Sequence, residues 1–439
     1  MARRGDMTSL AERLTIRDRA ADGANDAMIA RELQRSIWTV RKWRRRGQTG
    51  TMTSLTTRLG RPAVGPLSTW PAALKAHILD LRRTYPGWGA LTILVELQRD
   101  PTWKGQRLPS RARIGALLQA TGLTRRPQRH TTLPEPDHPP HPTAHELWEL
   151  DAKGPAAVAG VGMVSVITSI DVGSRVKIES TPTACAAPNR EDYQIALRRG
   201  FLTYGLPEQL SFDRGTVFFD NTSPSPFPTR IHLWLIALGI RVQFIRARRP
   251  TDHGILERHH QTIDAQVTRG QTWADLQALW QGLDDRRAVL NTQLPCRPCG
   301  NQPPLQADPR AAHSGRPYQP EWEDDLLDLQ RVGTYLAGAY WVRQGSPNGA
   351  IGLGGTKYWV GPAIANQGVK ITFDPAGWCF MLHTAGRTAD IPLVPQGLTK
   401  TALMGAVTGF ERLPSYQMAL PLDAASWRAN QHAALVHQA

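Results

Sequence analysis

Three acidic residues stand where a carboxylate could take part in chemistry: Asp151, Asp213 and Glu257. We predict that Asp151 ends or interrupts a strand, that Asp213 ends another strand, and that Glu257 lies in the second turn of a helix. Carboxylates are hard oxygen ligands that suit Mg²⁺ or Mn²⁺ and leave positions for water and phosphate. Two such ions, roughly 4 Å apart, can clamp an in-line phosphodiester displacement. Taken singly, each acid also has an ordinary structural role, as a cap, a turn former or a solvated helix residue.

Histidines surround the third acid and raise a second possibility, a zinc site. The segment DHGILERHHQTI places His253, His259 and His260 close to Glu257. At roughly 100° per residue, His260, at about 300°, is only about 60° from Glu257 in the other sense, but His259 points about 200° away from it, so one short helix cannot aim all four side chains at one ion. We therefore do not expect zinc, and we keep His253 and His260 as candidates for positioning a phosphate or a water.

The segment that carries these acids, residues 146–292, is predicted to form one compact α/β domain. Strands are expected at 146–154, 208–215 and 241–247, and a hairpin at 162–182 that turns at Gly173 and Ser174. Helices are expected at 189–204, 230–238 and about 252–268. Asp171, beside the hairpin turn, is more simply explained as a residue that shapes the turn than as a ligand.

Two helical units precede this domain and carry the excess positive charge. Residues 1–130 contain 25 Lys and Arg against 9 Asp and Glu, whereas the remainder of the 439-residue chain contains 27 against 28. This asymmetry favours a polyanion as partner, most simply nucleic acid. Residues 1–60 are predicted to form a helix-turn-helix domain and residues 61–126 a second one. The candidate DNA contacts in these units are Arg41, Lys42, Arg44, Arg45, Arg46, Arg111 and Arg113.

The remaining segments are predicted to be linkers and a small β domain. Residues 127–145 are rich in Pro, His and Thr, and residues 293–327 are rich in Pro, so both are expected to be linkers. Residues 328–398 alternate and turn often, which predicts a small antiparallel β-barrel, and 399–439 form a tail with weak helical periodicity. The lone CxxC of Cys296 and Cys299 is interpreted as incidental.

The motifs WELDAKG, ITSIDVGSR, LPEQLSFDRGTVF and GILERHHQTI, in this order, resemble the catalytic core of DDE transposases and retroviral-type integrases, above all the bacterial insertion-sequence type. The resemblance covers residues 145–290. In addition, YPGWGALTIL resembles the paired helix-turn-helix regions of insertion-sequence transposases, and the C-terminal barrel is similar to that of Mu-like transposases. The resemblance implies an RNase H-like fold in which Asp151, Asp213 and Glu257 are the catalytic triad and hold two Mg²⁺ or Mn²⁺ ions, with Asp151 bridging both.

Two features depart from the pattern of the family. Between Asp213 and Glu257 lie 43 residues, more than the family commonly has, and residues 218–230 are a ready insertion that explains the excess. Seven residues after Glu257, where relatives often carry Lys or Arg, this chain has Asp264. Arg258 or His260 could supply that DNA contact instead.

The predicted fold class is thus multidomain α/β, with N-terminal helix-turn-helix domains, an RNase H-like α/β catalytic core and a C-terminal small β-barrel. The implied activity is that of a DNA transposase, which binds transposon end repeats, cleaves 3′ ends and joins them to target DNA. The alternatives are a non-catalytic DNA-binding regulator and an RNase H-like nuclease. The implied partners are double-stranded DNA, further copies of the chain in at least a dimer on DNA, and an ATPase that the tail could dock.

The sequence also bears on the compartment. No apolar window reaches the length of a membrane span, and the start MARRGDMTSLAERL has no apolar signal region, so we expect neither membrane insertion nor secretion. Four cysteines in a chain of this length are too few for a disulfide framework and fit a reducing cytoplasm. Together with the resemblance, this predicts a bacterial, cytoplasmic, nucleoid-associated protein.

Overall fold

The computed structural model describes residues 8–48, 52–56, 65–124, 142–221, 223–245, 254–384 and 390–405. The first unit contains four helices, α1 (Leu10–Ala21), α2 (Asp26–Glu32), α3 (Ile37–Gly47) and the short α4 (Met52–Leu55). Helices α1 to α3 each begin at a side-chain cap, because oxygens of Ser9, Asn25 and Ser36 accept hydrogen bonds from backbone N–H groups one turn later. Val40 and Trp43 of α3 are buried, which turns the basic side chains of this helix outward.

The second unit contains three helices, α5 (Ala72–Thr84), α6 (Ala90–Arg99) and α7 (Arg111–Ala120). They surround a small apolar core in which Ile78, Ile93 and Ile114, one from each helix, are fully buried. The segment predicted as the second helix-turn-helix domain is therefore helical where the structure describes it.

Six strands form the central sheet: β1 (Leu147–Val158), β2 (Gly162–Asp171), β3 (Lys177–Pro182), β4 (Gln209–Phe212), β5 (Arg241–Phe244) and β6 (Thr272–Trp273). The order is β3-β2-β1-β4-β5, and β6 pairs with the C-terminal end of β1. The first three strands are antiparallel, whereas β4 and β5 run parallel to β1. The helices of this domain are α8 (Arg190–Tyr204), α9 (Arg230–Ala237), α10 (Gly254–Ile263) and α11 (Leu276–Thr292). The mixed α/β character predicted for residues 146–292 is confirmed.

The hairpin between β2 and β3 turns where it was predicted to turn. The Asp171 carboxylate accepts hydrogen bonds from the backbone N–H groups of His145 and Ser174, both at 3.1 Å, and from the Ser174 hydroxyl. Burial raises the pKa of Asp171 to about 6, although these hydrogen bonds act in the opposite direction. Asp171 therefore shapes the turn, and both of its carboxylate oxygens are used in these hydrogen bonds.

The second helical unit packs directly on the central domain. The indole N–H of Trp88 donates a hydrogen bond to the carbonyl oxygen of Gln266, at 2.9 Å. A Cβ on Gly87 would lie 1.5 Å from the carbonyl oxygen of Ala265, so only glycine allows this approach. Ala265 and Gln266 belong to a π-helical turn, Asp264–Thr268, which continues α10. The joint between the two units is thus made at the end of the helix that carries Glu257.

Ion pairs extend this joint along α11. Arg286 pairs with Glu96 of α6 at 2.9 Å, and Arg99 pairs with Asp285 at 2.6 Å. The guanidinium of Arg286 also lies 4.6 Å from the ring centroid of Trp88. Contacts of both polar and aromatic kinds therefore fix the second unit against the central domain.

The C-terminal region contains short helices and two separate β elements. The helices are α12 (Pro304–Ala307), α13 (Glu323–Leu326), α14 (Leu329–Ala337) and α15 (Lys400–Met404), with 3-10 turns at Arg297–Cys299, Pro309–Ala312, Pro320–Trp322 and Pro362–Ile364. The strands are β7 (Tyr340–Gln344), β8 (Ala350–Leu353), β9 (Thr356–Trp359), β10 (Gly368–Asp374), β11 (Cys379–Thr384) and β12 (Ile391–Leu393). Four of them form an antiparallel sheet in the order β12-β11-β10-β7, and β8 pairs with β9.

This arrangement differs in part from the predicted barrel. The segment RVGTYLAGAYWV, residues 331–342, was interpreted as the first alternating segment of the barrel, but its first part belongs to helix α14. In this helix Val332 and Leu336 are buried at the four-residue spacing of one helical face. Because the remaining strands are divided between a sheet and a hairpin, closure into a barrel stays a prediction. Most of the predicted linker 127–145 and most of the tail 399–439 lie outside the described residues.

A buried ion pair anchors the segment that follows α11. The Glu323 carboxylate accepts two hydrogen bonds from Arg198 of α8, both at 2.7 Å, one from the Trp234 indole at 2.8 Å, and one from the Tyr318 hydroxyl. Removing one member of a buried pair typically costs about 3–5 kcal/mol. Part of the predicted linker 293–327 is therefore held firmly to the central domain. None of the helices in the described parts of the chain is long and apolar enough to cross a bilayer.

Candidate active site

Two of the three acids lie side by side on the central sheet. Strands β1 and β4 are parallel, and Glu149 pairs with Ser211. Two residues further along each strand come Asp151 and, directly after the end of β4, Asp213. Neighbouring strands are about 4.8 Å apart, so this register brings the two carboxylates to one edge of the sheet.

The two carboxylates differ in their surroundings. Burial raises the pKa of Asp151 to about 6, and the negative charge of Asp213 raises it further, against a hydrogen bond from the Ala152 N–H at 2.7 Å. Asp213 is exposed, and its Oδ1 accepts a hydrogen bond from the Gly215 N–H at 2.9 Å. Asp151 is therefore half-buried at the edge of the sheet, and Asp213 is exposed to solvent. A ligand that arrives from the solvent side could reach both carboxylates.

The helix of the third acid is tied to the same place. Nε2 of His260 lies 2.7 Å from the hydroxyl of Thr168, in β2. Thr168 is the cross-strand partner of Asp151, and its hydroxyl also approaches the Asp151 carbonyl oxygen, at 3.4 Å. Residues three apart lie on the same side of a helix. Glu257 is therefore on the same side of α10 as His260, which contacts β2.

The described residues do not show a closed metal cluster. They contain no group of three or more His, Cys, Asp or Glu side chains that could hold an ion, and Glu257 is exposed. The histidines do not converge either, because His259 points into the interior while His260 contacts Thr168. Burial lowers the pKa of His259 well below its usual value. His253 lies outside the described residues.

The chemistry of the Asp151–Asp213 pair nevertheless fits a divalent cation. Both side chains offer hard oxygen donors, the kind that Mg²⁺ and Mn²⁺ prefer. The raised pKa of Asp151 shows that its negative charge lacks compensation where it lies. A cation between the two carboxylates would supply that compensation, and the exposed side of Asp213 leaves room for further ligands.

Two residues near the acids were not predicted from the sequence. Tyr193 of α8 is buried against Phe218, with ring centroids 4.6 Å apart. Burial raises the pKa of its phenol, and the charges of Asp151 and Asp213 add to that shift, which places Tyr193 within electrostatic reach of both. Thr168 is the other; the run VSVITSI contains three polar residues, Ser165, Thr168 and Ser169, and nothing in the sequence singles out Thr168 among them.

The candidate DNA contacts of α3 divide into two groups. Arg41 and Arg44 both pair with Asp26 of α2, at 3.3 and 2.9 Å. Lys42 and Arg45 are exposed. The guanidinium of Arg46 lies 5.1 Å from the ring centroid of Trp43, and that of Arg41 lies 5.8 Å from Trp38. Part of the positive charge of this helix is therefore already neutralised within the unit.

The other candidate contacts are exposed and only partly engaged. Arg111 and Arg113 lie in the first turn of α7, and the Arg113 guanidinium stands 4.8 Å over the ring of Trp70. Arg258 of α10 is exposed and donates a hydrogen bond to Gln261 at 3.0 Å. Asp264 stands where relatives of the resembled family often carry Lys or Arg. Its negative charge is paired within the chain, because its carboxylate accepts a hydrogen bond from Nε of Arg269 at 3.0 Å.

Comparison with known proteins gives limited overlaps. No protein-family model matches the sequence. Among solved structures, the catalytic core domain of the integrase of human T-lymphotropic virus type 2, in complex with magnesium, matches with 13% identity and a TM-score of 0.28, over 38% of this chain and 97% of that one. A simian T-cell lymphotropic virus intasome, in complex with a regulatory subunit of protein phosphatase 2A, matches with 12% identity and a TM-score of 0.31, over 72% of this chain and 96% of that one. Because both overlaps are low, the proposals below rest on the residues of this chain.

Proposed function

We propose that this chain is a DNA transposase of the DDE type, which binds the ends of a mobile element, cleaves their 3′ strands and joins them to target DNA. In this proposal Asp151, Asp213 and Glu257 are the catalytic acids. The observation that carries the proposal is the register of β1 and β4, which sets Asp151 beside Asp213. The contact of His260 with Thr168, the partner of Asp151, adds the helix of Glu257 to that pair.

The three acids would hold two Mg²⁺ or Mn²⁺ ions, which when bound supply activation of the attacking oxygen and neutralisation of the leaving one. Asp151, the most buried of the three, would bind both ions, and Asp213 and Glu257 would each bind one of them. His260 positions Glu257 through its contact with Thr168. In this scheme no side chain becomes a covalent nucleophile, so the acids act by binding and orientation.

The two helical units would bind the DNA. Exposed Lys42 and Arg45 of α3, and Arg111 of α7, would contact phosphates or base edges. The joint through Trp88 and Gly87 fixes the second unit relative to α10, so DNA held by α7 would have a defined position relative to the acids. Because two ends must be held together, we also propose at least a dimer on DNA. An ATPase docked by the tail is a further proposed partner.

A strand-transfer reaction tests the proposal against its alternatives. Labelled DNA that carries the two ends of the element encoding this chain is incubated with the full-length protein, a target plasmid and Mg²⁺. Labelled ends covalently joined to the plasmid would support a transposase. End binding without any cleavage would identify a DNA-binding regulator, and cleavage that is indifferent to the end sequence and never followed by joining would identify a nuclease.

A further inference from the structure

A cavity of about 490 Å³ lies between the second helical unit and the central domain. Leu91 and Thr92 of α6 form one side of it, and residues of β2, of α10 and of the end of α11 form the others. The face of α10 that lines it carries Ile255, His259 and Thr262. At roughly 100° per residue, Glu257 points about 130° away from the centre of the whole lining face, which also includes Gly254 and Arg258. Because Glu257 does not line the cavity, and neither do Asp151 and Asp213, the cavity is separate from the candidate active site.

The wall of the cavity is mostly apolar. Aliphatic side chains come from β2, α10, α11 and the segment just after α11: Ile170, Ile255, Leu290 and Leu294. Its volume falls in the range of about 300–1,000 Å³ that is typical of pockets for small organic molecules. The shape and lining therefore suit a ligand with a ring or a branched chain.

The polar groups of the cavity are cationic or neutral. Arg175, Lys177 and Arg258 line it, and none of the described residues that line it is acidic. Lys177 is only 8% exposed, and among the described residues its ammonium donates a single hydrogen bond, to the Arg175 carbonyl oxygen at 2.6 Å. An ammonium can donate three hydrogen bonds, so a buried positive charge with spare donors faces the cavity.

His259 adds a second, independent sign of a missing partner. Its side chain is 2% exposed, and within the described part of the chain neither ring nitrogen has a hydrogen-bond partner. A buried polar group left without a partner costs about 1–3 kcal/mol. Two buried residues that border one cavity, Lys177 and His259, thus have hydrogen-bonding groups that a ligand could satisfy.

We propose that this cavity binds a small organic anion that joins an apolar ring or chain to a phosphate, carboxylate or sulfonate group. The anionic group contacts Lys177 and Arg175, the His259 imidazole forms a further hydrogen bond, and the apolar part packs on Ile170 and Leu290. Such a ligand contacts the β2–β3 hairpin, α10 and α11, and lies beside Leu91 and Thr92 of α6, so it occupies the joint between the second helical unit and the helix of Glu257. The cavity can bind such a ligand whether or not the chain is a transposase, and binding is measured without DNA or metal.

The test is a titration of the full-length protein with anilinonaphthalene sulfonate, an aromatic anion whose fluorescence rises in apolar sites. Binding is measured by calorimetry and fluorescence, beside its neutral analogue phenylnaphthylamine and inorganic phosphate. We expect one sulfonate site per chain that binds at least tenfold more tightly than the neutral analogue and is not displaced by equimolar phosphate. The proposal would be overturned if phenylnaphthylamine bound as tightly as the sulfonate. It would also be overturned if equimolar phosphate displaced the sulfonate from its site.

Variants locate the site. Lys177→Met should weaken sulfonate binding at least tenfold, and Leu290→Trp, which fills the cavity, should abolish the one-per-chain site. The matched control Lys357→Met, at an exposed position of β9, should leave binding within twofold. His259→Leu keeps the volume and removes the unpartnered nitrogens, so it should melt no lower than the wild type while binding at least threefold more weakly. Unchanged binding in both Lys177→Met and His259→Leu would contradict the assignment.

Discussion

Asp151 and Asp213 lie at one edge of the central sheet, on parallel neighbouring strands, and the charge of Asp213 adds to burial in raising the pKa of Asp151 to about 6. An acid in this state destabilises the folded chain at neutral pH, because its charged form is favoured more in the unfolded chain. Such a cost is expected where a ligand is to supply the compensation.

Asp151→Asn should stabilise the protein at neutral pH while removing a proposed ligand. The pKa of Asp151 is raised in the folded state, so ionisation is penalised above about pH 6 and the penalty vanishes below about pH 4, where the acid is protonated in both states. At 1.36 kcal/mol per pKa unit, the rise from 3.8 to about 6 gives a gain of about 3 kcal/mol near pH 8. Denaturant unfolding at pH 8 and pH 4 measures it. The control is Asp325→Asn, at an exposed position. A gain as large at pH 4 as at pH 8 would show that the carboxylate charge is not the cause.

Divalent ions should stabilise the wild type through the same pair. A ligand at one hundred times its Kd adds about 2.7 kcal/mol to the free energy of unfolding. We therefore expect Mn²⁺ to raise the Tm of the wild type and to leave Asp151→Asn and Asp213→Asn within about 1 °C of their metal-free values. Differential scanning calorimetry with and without a chelator gives the comparison. A Mn²⁺ shift that persists in both variants would place the ion elsewhere.

Gly87→Ala should loosen the joint between the second helical unit and the central domain. A Cβ at this position would lie 1.5 Å from the carbonyl oxygen of Ala265, so the two units must separate or the π-helical turn must shift. We expect a loss of about 2 kcal/mol in the free energy of unfolding, and faster hydrogen exchange in residues 264–268. Gly89→Ala is the matched control, because a Cβ at Gly89 would meet nothing within 4 Å. Equal losses in the free energy of unfolding for Gly87→Ala and Gly89→Ala would show that the close approach of Gly87 to Ala265 does not stabilise the joint.

The pairing of Asp26 with Arg41 and Arg44 predicts opposite effects on DNA binding from two substitutions. Asp26→Ala should tighten binding, because it releases two arginines of α3 toward phosphates. Arg45→Ala should weaken binding and reduce the slope of log K against log salt by about one. Fluorescence anisotropy with an end-sequence duplex over a range of salt concentrations measures both. Weaker binding by Asp26→Ala, in a variant whose melting is unchanged, would mean that α3 does not face the DNA.

Local features of the sequence predicted local structure well. Asn25 and Ser36 are residue types that favour helix starts, and both cap helices of the first unit. The hairpin of β2 and β3 was predicted from its turn residues Gly173 and Ser174. The start of the predicted barrel was misassigned, because RVGTYLAGAYWV alternates like a strand while Val332 and Leu336 also fit a helix.

Long-range contacts were beyond what spacing along the chain can show. The packing of Gly87 on Ala265 joins residues 178 positions apart in sequence, and nothing local marks it. Likewise, Asp26 looked like part of a helix start, and its pairing with Arg44 depends on how α2 and α3 cross. In the candidate site, the acids were predictable by type and order, whereas Thr168 and Tyr193 become visible only when the sheet and α8 are assembled.

The central claim, that Asp213 belongs to a phosphoryl-transfer centre, is tested most directly by Asp213→Asn in the strand-transfer reaction. Asp213 is exposed and its side chain accepts only a local turn hydrogen bond among the described contacts, so the variant should fold and bind element ends within about twofold of the wild type. We predict that joined product falls by on the order of a thousandfold or more, while Asp325→Asn joins ends normally. Joining by Asp213→Asn at the rate of the wild type would contradict the assignment.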